Sequence, residues 1–244
     1  MTVTVTLATA RRVLDQLRHD HRTAALLLVF PTVLMVLLRY VFDAPERFDR
    51  IAPALLGIFP FTVMFLVTSV ATLRERRSGT LERLMTMPMG RLDFLLGYGL
   101  AFGLVALVQV SLVTAVTVGL LGLDVAGPVW LLLLIAVLDA LLGTALGLAV
   151  SAFARTEFQA VQFLAVVALP QVLLGGLFVA RDQMAALLRW VSDALPLSYA
   201  IAAMRLVTGS ADAPAELWRD IVIVAGASLL ALALGAATLR RQSG

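Results

Sequence analysis

Six long apolar runs constrain this chain more than any other feature of its sequence. A helix rises 1.5 Å per residue, so roughly 20 apolar residues cross the ~30 Å hydrocarbon layer of a bilayer. Hydrophobic residues make up 61% of the chain, whereas soluble domains contain about 45–50%. The pattern therefore predicts an all-α integral membrane protein with six transmembrane helices. The predicted spans are residues 24–42, 51–73, 94–123, 125–154, 158–180 and 221–239.

Residue types that are missing from the sequence exclude several kinds of site. The chain has no cysteine, which excludes disulfides, zinc–thiolate sites and iron–sulfur clusters. All 19 basic residues are arginine, so this chain offers no lysine for a phosphate-binding loop or a Schiff base. The two histidines, His19 and His21, lie together in a polar N-terminal stretch. We therefore expect no catalytic residue, no metal site and no bound cofactor in this chain.

The arginines lie between the apolar runs, and their distribution predicts the orientation of the chain. The side that holds both termini carries twelve, which are Arg11, Arg12, Arg18, Arg22, Arg74, Arg76, Arg77, Arg83, Arg91, Arg155, Arg240 and Arg241. The other side carries seven, counting Arg39. Loops rich in arginine remain in the cytoplasm, so both termini are expected there. This distribution also explains the net charge of +3 without a nucleic-acid partner.

Two segments outside the spans are predicted to lie at the membrane surface. In residues 1–23, Leu7, Ala10, Leu14 and Leu17 recur at helical spacing opposite charged residues, which predicts an amphipathic helix on the inner leaflet. Residues 181–220 are too polar for a span but contain short apolar stretches. Such lengths are typical of re-entrant or interfacial helices. A small amphipathic hairpin on the surface is the alternative for this outward segment.

The connection between the second and third spans, residues 74–92, has the pattern of a short amphipathic helix. Ser78 or Thr80 can cap it, and Leu81, Leu84 and Met85 fall on one face. Pro88 would end it. On composition alone, a solvated, arginine-rich loop explains the segment equally well.

Two motifs resemble those of type-2 ABC (ATP-binding cassette) export permeases. The stretch from Glu75 to Pro88, with Gly-Thr, a hydrophobe, Glu, Leu and a final Pro, is similar to the family's coupling segment. The outward segment contains Pro196, Ser198 and Tyr199, followed by Arg205, which resembles a second family element. Residues 170–178 are similar to the family's pattern at the end of the fifth span. Daunorubicin-resistance permeases within this family look most similar.

The resemblance implies a permease subunit of an ATP-driven exporter in a bacterial plasma membrane. ATP and magnesium would bind to a separate ATPase subunit, and a second permease subunit, identical or different, would complete the membrane channel. The cargo would be an amphipathic drug, an antibiotic or a lipid-like molecule, although the family also contains polysaccharide exporters. The residues that would couple to the ATPase are Glu75, Arg76, Arg77, Gly79, Thr80, Leu81, Glu82, Leu84 and Pro88.

Polar residues inside the spans are candidates for a cargo path. Asp139 is the only ionisable residue near the middle of a span, where a charge costs roughly 2.5–3.5 kcal/mol. It could attract a cationic cargo, carry a proton in a proton-driven transporter, or form a structural contact as a neutral acid. Gln109, Gln162 and Gln171 could line a path or join helices. The pairs Gly99-x-x-x-Gly103 and Gly143-x-x-x-Gly147 both permit close helix approach.

Overall fold

The computed structural model describes residues 3–78 and 91–241, and all of the regular structure in these ranges is helical. Six helices are long and apolar enough to span a membrane, which confirms the predicted fold class. The predicted helix ending at Pro88 lies outside the described residues. In chain order the helices are α1 (Val3–His19), α2 (His21–Phe42), α3 (Pro45–Arg77), α4 (Arg91–Gly119), α5 (Val129–Ser151), α6 (Glu157–Leu174), a 3₁₀ turn (Arg181–Gln183), α7 (Ala186–Ala194), α8 (Pro196–Gly209) and α9 (Ala215–Arg241).

Several helix ends differ from the predicted spans. The fifth span was predicted to reach residue 180, but α6 ends at Leu174. The chain turns there through Gly175 and Gly176, and Gly176 has a φ of 88°, a conformation that glycine adopts without steric cost. The third span was likewise predicted too long, because α4 ends at Gly119. Hydropathy could not locate these ends, since the residues that follow each helix are also apolar.

Helices α3 and α5 run parallel and form the centre of the bundle. In both, 67% of the most apolar window is buried, against 17% in α2 and in α6. A Cβ on Gly143 would overlap the carbonyl oxygen of Phe61, and a Cβ on Gly147 would lie 2.5 Å from the carbonyl oxygen of Phe65. Gly143 and Gly147 are four positions apart, as are Phe61 and Phe65, so each pair lies on one face of its helix. The two glycines of α5 therefore lie directly against the backbone of α3.

Helix α1 packs against α4 through a face that the sequence pattern did not indicate. Thr6, Thr9, Ala10 and Val13 are buried, while Leu7 is 57% exposed. A Cβ on Gly97 of α4 would lie 2.6 Å from the Cβ of Thr9, so the two helices touch closely. The predicted amphipathic N-terminal helix is confirmed, and its contact with α4 uses the threonines, while Leu7 remains exposed. Small threonines allow the close approach that a leucine would prevent.

Helix α8 enters the bundle instead of lying on its surface. Seven of its residues are buried: Leu197, Ser198, Ala200, Ile201, Ala203, Met204 and Val207. The sulfur of Met204 lies 3.2 Å from the position of a Cβ on Gly57, twelve residues into α3. At its other end, the N–H of Gly127 donates to the carbonyl of Val207 over 2.9 Å. Residues 181–220 therefore contain two short α-helices that differ in burial: α8 enters the bundle, whereas α7 is buried only at Ser192.

Candidate functional site

Three consecutive side chains at the end of α3 each reach a different part of the bundle. Arg74 donates to both carboxylate oxygens of Glu157 at the start of α6, over 2.8 and 3.1 Å. Arg76 donates to the carbonyl oxygen of Ser151 at the end of α5. Successive residues of a helix point about 100° apart, so Arg74 and Arg76 can meet α6 and α5 while the residue between them turns to a third partner.

That third partner is Arg12 of the N-terminal helix. A guanidinium nitrogen of Arg12 lies 3.0 Å from a carboxylate oxygen of Glu75, and another donates to the hydroxyl of Tyr98 over 3.0 Å. Tyr98 is buried, and only 12% of the Glu75 side chain is exposed. Since partial burial reduces screening by water, this contact is stronger than an exposed ion pair. Arg12, Glu75 and Tyr98 join α1, α3 and α4.

The end of α3 is thus connected to α1, α4, α5 and α6, and we call Arg74, Glu75 and Arg76 the basal cluster. Arg77 follows the basal cluster and is exposed. The remaining residues predicted to couple to an ATPase lie outside the described residues, and they are Gly79, Thr80, Leu81, Glu82, Leu84 and Pro88. The structure therefore describes the point from which the predicted coupling segment begins.

Asp139 is buried completely at the contact between α3, α5 and α8. Its side chain has no exposed surface, and neither carboxylate oxygen has a hydrogen-bond partner within the described part of the chain. One oxygen lies 3.0 Å from the position of a Cβ on Gly57, and Met204 approaches the same position. A larger residue than glycine at position 57 would displace the Asp139 carboxyl. A charge held here without a partner would be costly.

The structure does not bring the three candidate glutamines together with Asp139. Gln109 on α4 is buried and donates to the carbonyl of Leu27 on α2 over 2.7 Å. Gln171 on α6 is 3% exposed, and its oxygen accepts from the N–H of Leu197 over 3.4 Å. Gln162 is exposed on α6. Gln109 and Gln171 therefore connect helices within the chain. Of the three candidate glutamines, Gln162 is the one exposed on the surface of the bundle.

The second motif, which begins with Pro196, Ser198 and Tyr199, lies at the start of α8. Pro196 occupies the first helical position, where its missing N–H costs nothing. The hydroxyl of Ser198 lies 3.2 Å from that of Ser192, which donates to the carbonyl of Leu174. The hydroxyl of Tyr199 donates to the carbonyl of Asp193 over 2.7 Å. This motif holds α7 and α8 against the end of α6.

Arg181 and Arg205 lie near these residues, and the two arginines differ in their contacts. Arg181 pairs with Asp193, and its guanidinium lies 4.8 Å from the centre of the Tyr199 ring. Arg205 is half-buried, and its Nε has no hydrogen-bond partner among the residues that the structure describes. No group of three or more His, Asp or Glu residues capable of holding a metal ion occurs in residues 3–78 and 91–241.

Sequence reasoning missed Arg12, Tyr98, Ser151 and Glu157 as partners of the basal cluster. Arg12 lies beside Arg11 on the charged side of α1 and looked like a surface charge. Glu157 looked like an ordinary acidic residue in a first helical turn, where carboxylates are common. A single sequence carries no signal that pairs two residues separated by 63 positions, as Arg12 and Glu75 are, or by 83 positions, as Arg74 and Glu157 are.

Comparison with known proteins gives consistent matches along most of the chain. Residues 4–208 match the family model described as ABC-2 type transporter. The chain is 25% identical over 208 residues to the "Probable multidrug ABC transporter permease YbhS" of Escherichia coli, which covers 84% of this chain and 55% of that protein. It is 26% identical over 178 residues to "ABC transporter G family member 20" of Dictyostelium discoideum, covering 72% of this chain and 24% of that protein.

A third relative is the "Inner membrane transport permease YhhJ" of Escherichia coli, which is 28% identical over 135 residues. That match covers 55% of this chain and 36% of the relative. The chain therefore spans between about a quarter and about half of the length of these curated relatives.

Proposed function

Because the chain belongs to the ABC-2 type transporter family, we propose that it is the membrane-spanning permease subunit of an ATP-driven exporter. The proposed cargo is an amphipathic drug, antibiotic or lipid-like molecule, taken from the cytoplasm or the inner leaflet. The observation that carries the proposal is the family match over residues 4–208, which includes five of the six apolar helices that could span a membrane. The printed name of the YbhS relative, a probable multidrug permease, supports a drug-like cargo.

The proposed energy source is a separate ATPase that binds ATP and magnesium. The absence of lysine in the sequence supports this division, since phosphate-binding loops use a lysine. We propose that residues 75–88 dock on this ATPase. The basal cluster supports that role, because a displacement of the segment would act on four other helices at once.

The test of this docking reverses one charge. Glu82→Arg should reduce co-purification of the ATPase and ATP-dependent dye uptake into inside-out vesicles by at least about tenfold, since a reversed charge at a contact costs several kcal/mol. Glu216→Arg is the matched control, because Glu216 is an exposed acid in the first turn of α9 and lies outside the proposed docking segment. Full assembly and transport in the Glu82 variant would refute the docking role.

The proposed orientation places both termini in the cytoplasm of a bacterial inner membrane. The arginine distribution supports it. Because the natural chain has no cysteine, single substitutions at exposed Ser78 and Asp212 can be labelled selectively. Asp212→Cys should react with a membrane-impermeant maleimide in intact cells, and Ser78→Cys only after permeabilisation. The opposite labelling pattern would contradict the orientation.

We propose that two permease subunits meet with the cargo path between them. The exposed Gln162 on α6 supports this, since a polar side chain is rarely directed at lipid. Asp139, Gln109 and Gln171 are buried, so they would line that path only in a conformation that separates the helices around them. Gln162→Cys should form a cross-linked dimer with a short bifunctional maleimide, and Leu104→Cys, exposed on α4, should not. Cross-linking of both variants to the same extent would argue against this interface.

A second candidate function is proton-coupled transport, and the buried, unpartnered carboxyl of Asp139 favours it. Under this alternative, Asp139→Asn would abolish transport, while transport would continue after ATP depletion in the presence of a proton gradient. Under the export proposal, Asp139→Asn retains transport within about threefold, because Asn has nearly the same volume as a neutral Asp. Transport assays with the proton gradient clamped separate the two functions.

A further inference from the structure

A cavity near the C-terminal end of α3, the proposed cytoplasmic end of the bundle, lies apart from the residues discussed so far as a cargo path. None of Gln109, Gln162, Gln171 and Asp139 lines it, and neither does the motif at the start of α8. It has a volume of about 360 Å³ and is bounded by α1, the first turns of α2, the last turns of α3, and α4. Ligand pockets commonly measure about 300–1,000 Å³, so it has the size of a small-molecule site. The cavity lies beside α1, which is predicted to lie on the inner leaflet, so in the proposed orientation it is accessible from the cytoplasmic half of a membrane.

The cavity has an apolar body and a polar end. The apolar side chains come mainly from α3 and α1, namely Leu66, Val67, Val70, Ala71, Val13 and Leu17. The charged groups that line it are Asp20, Arg74 and Glu75. A molecule that fits must therefore carry its polar group at one end of an apolar body.

Of the carboxylates that line this cavity, Asp20 is the one without an ion pair among the described residues, and the positive charge of Arg74 also acts on it. Arg74 is paired with Glu157, and Glu75 is paired with Arg12. Asp20 forms no ion pair within the described ranges; it caps α2 by accepting from the N–H and the hydroxyl of Thr23, over 3.2 and 2.6 Å. A carboxylate oxygen can accept a further contact beyond these bonds.

Asp20 remains ionised at neutral pH. The hydrogen bonds from Thr23 hold the pKa of the Asp20 carboxyl below its ordinary value. Asp20 lies between α1 and α2, before the first span. Its negative charge is therefore at the level of the headgroups, where a bilayer holds the charged end of an amphipathic molecule.

We propose that this cavity binds an amphipathic organic cation, with the apolar body against α3 and α1 and the positive charge at Asp20. The inference deepens the proposed export function, since it assigns the class of cargo and a binding site at the inner leaflet within one subunit. The same chemistry, a positive charge on an apolar body, occurs in cationic dyes and drugs and in the amine headgroup of phosphatidylethanolamine.

The experiment measures binding of rhodamine 6G to the full chain in phosphatidylcholine nanodiscs by fluorescence anisotropy. Asp20→Asn should weaken binding by roughly threefold to tenfold, as expected for a partly solvated charge contact. Asparagine caps a helix as well as aspartate does, so the fold is retained. Asp15→Asn is the matched control, because Asp15 is an exposed acid on α1 that does not line the cavity.

Filling the cavity tests the location of the apolar body. Ala71→Phe should weaken rhodamine 6G binding by at least about tenfold, since the added ring occupies the space of the ligand. Ala25→Phe, exposed on α2 and outside the cavity, should bind as the unchanged chain does. If Ala71→Phe fails to fold, Ala71→Cys gives the same information, because bound rhodamine 6G should protect it from N-ethylmaleimide. Protection at Ala25→Cys is not expected.

Three results would overturn the proposal: equal binding by Asp20→Asn and the unchanged chain, equal binding by Ala71→Phe, or no protection of Ala71→Cys. Tight, Asp20-independent binding of the neutral dye Nile red with no rhodamine 6G binding would also overturn it. Competition by phosphatidylethanolamine that disappears in Asp20→Asn identifies a lipid amine as the source of the charge. Lack of competition identifies a non-lipid cation. Binding by the isolated chain needs no ATPase, so its failure leaves the export proposal intact.

Discussion

Helix α3 is held in two different ways at its middle and at its C-terminal end. In the middle, its backbone at Phe61 and Phe65 lies against Gly143 and Gly147 of α5 without side chains between them. At the end, Arg74, Glu75 and Arg76 reach neighbouring helices through charged side chains. Direct backbone contact leaves little room for the two helices to shift, whereas long charged side chains can change rotamer. The middle is therefore built for rigidity and the end for adjustment.

The largest effect is expected from filling the glycine contact in the middle. Gly147→Ala should lower the free energy of unfolding by about 2–3 kcal/mol, because the new Cβ would force α3 and α5 apart. Gly99→Ala is the matched control, since no atom lies within 4 Å of a Cβ there. It should be neutral or stabilise by up to about 1 kcal/mol, as alanine favours helix. Unfolding in mixed micelles measures both, and equal effects would contradict the rigid contact.

An intermediate effect is expected at the partly buried end of α3. Removing the charge of Arg12 or Glu75, as Arg12→Gln and Glu75→Gln, should cost about 1–2 kcal/mol, and the double variant should cost little more than either alone. The corresponding cycle on Arg11 and Asp15, whose atoms are 4.0 Å apart and exposed, should give a coupling energy near zero. Additive effects at Arg12 and Glu75 would show that the two side chains do not interact.

The smallest effect is expected at the exposed contact between Arg74 and Glu157, although its distances are short. Their side chains are 57% and 50% exposed, so water screens the pair. Arg74→Gln and Glu157→Gln should couple by no more than about 0.5 kcal/mol, and 0.5 M salt should remove most of that. A coupling above that of Arg12 and Glu75 would reverse the proposed order of the two contacts.

The six spans could be predicted from the sequence because hydropathy reports directly on transfer into a bilayer. Hydropathy could not predict which spans form the centre. Helices α2 and α5 have nearly equal hydropathy, yet 17% of one apolar window and 67% of the other are buried. Lipid and protein interior are both apolar, so a leucine that faces either looks the same in the sequence.

The two glycine pairs show the same limit. Gly99-x-x-x-Gly103 and Gly143-x-x-x-Gly147 are equivalent as patterns, but only the second lies against a backbone, and Gly99 borders open space. At the candidate site, the family resemblance predicted a role for Glu75 and Arg76, but their partners in α1 and α5 depend on the tertiary fold. The spacing of leucines in α1 did not indicate the contact with α4, because the approach to Gly97 requires small side chains.

The tight parallel contact between α3 and α5 has a consequence for how motion could cross the membrane. If the two helices turn as one unit about Arg76, the lever arm to Gly57 is 19 residues, or about 28 Å of helix. A rotation of about 5° would then displace the Met204 contact by about 2.5 Å, which is the scale of a side-chain rearrangement. A small angular change at the C-terminal end of α3 would reach α8 as a distance large enough to repack it.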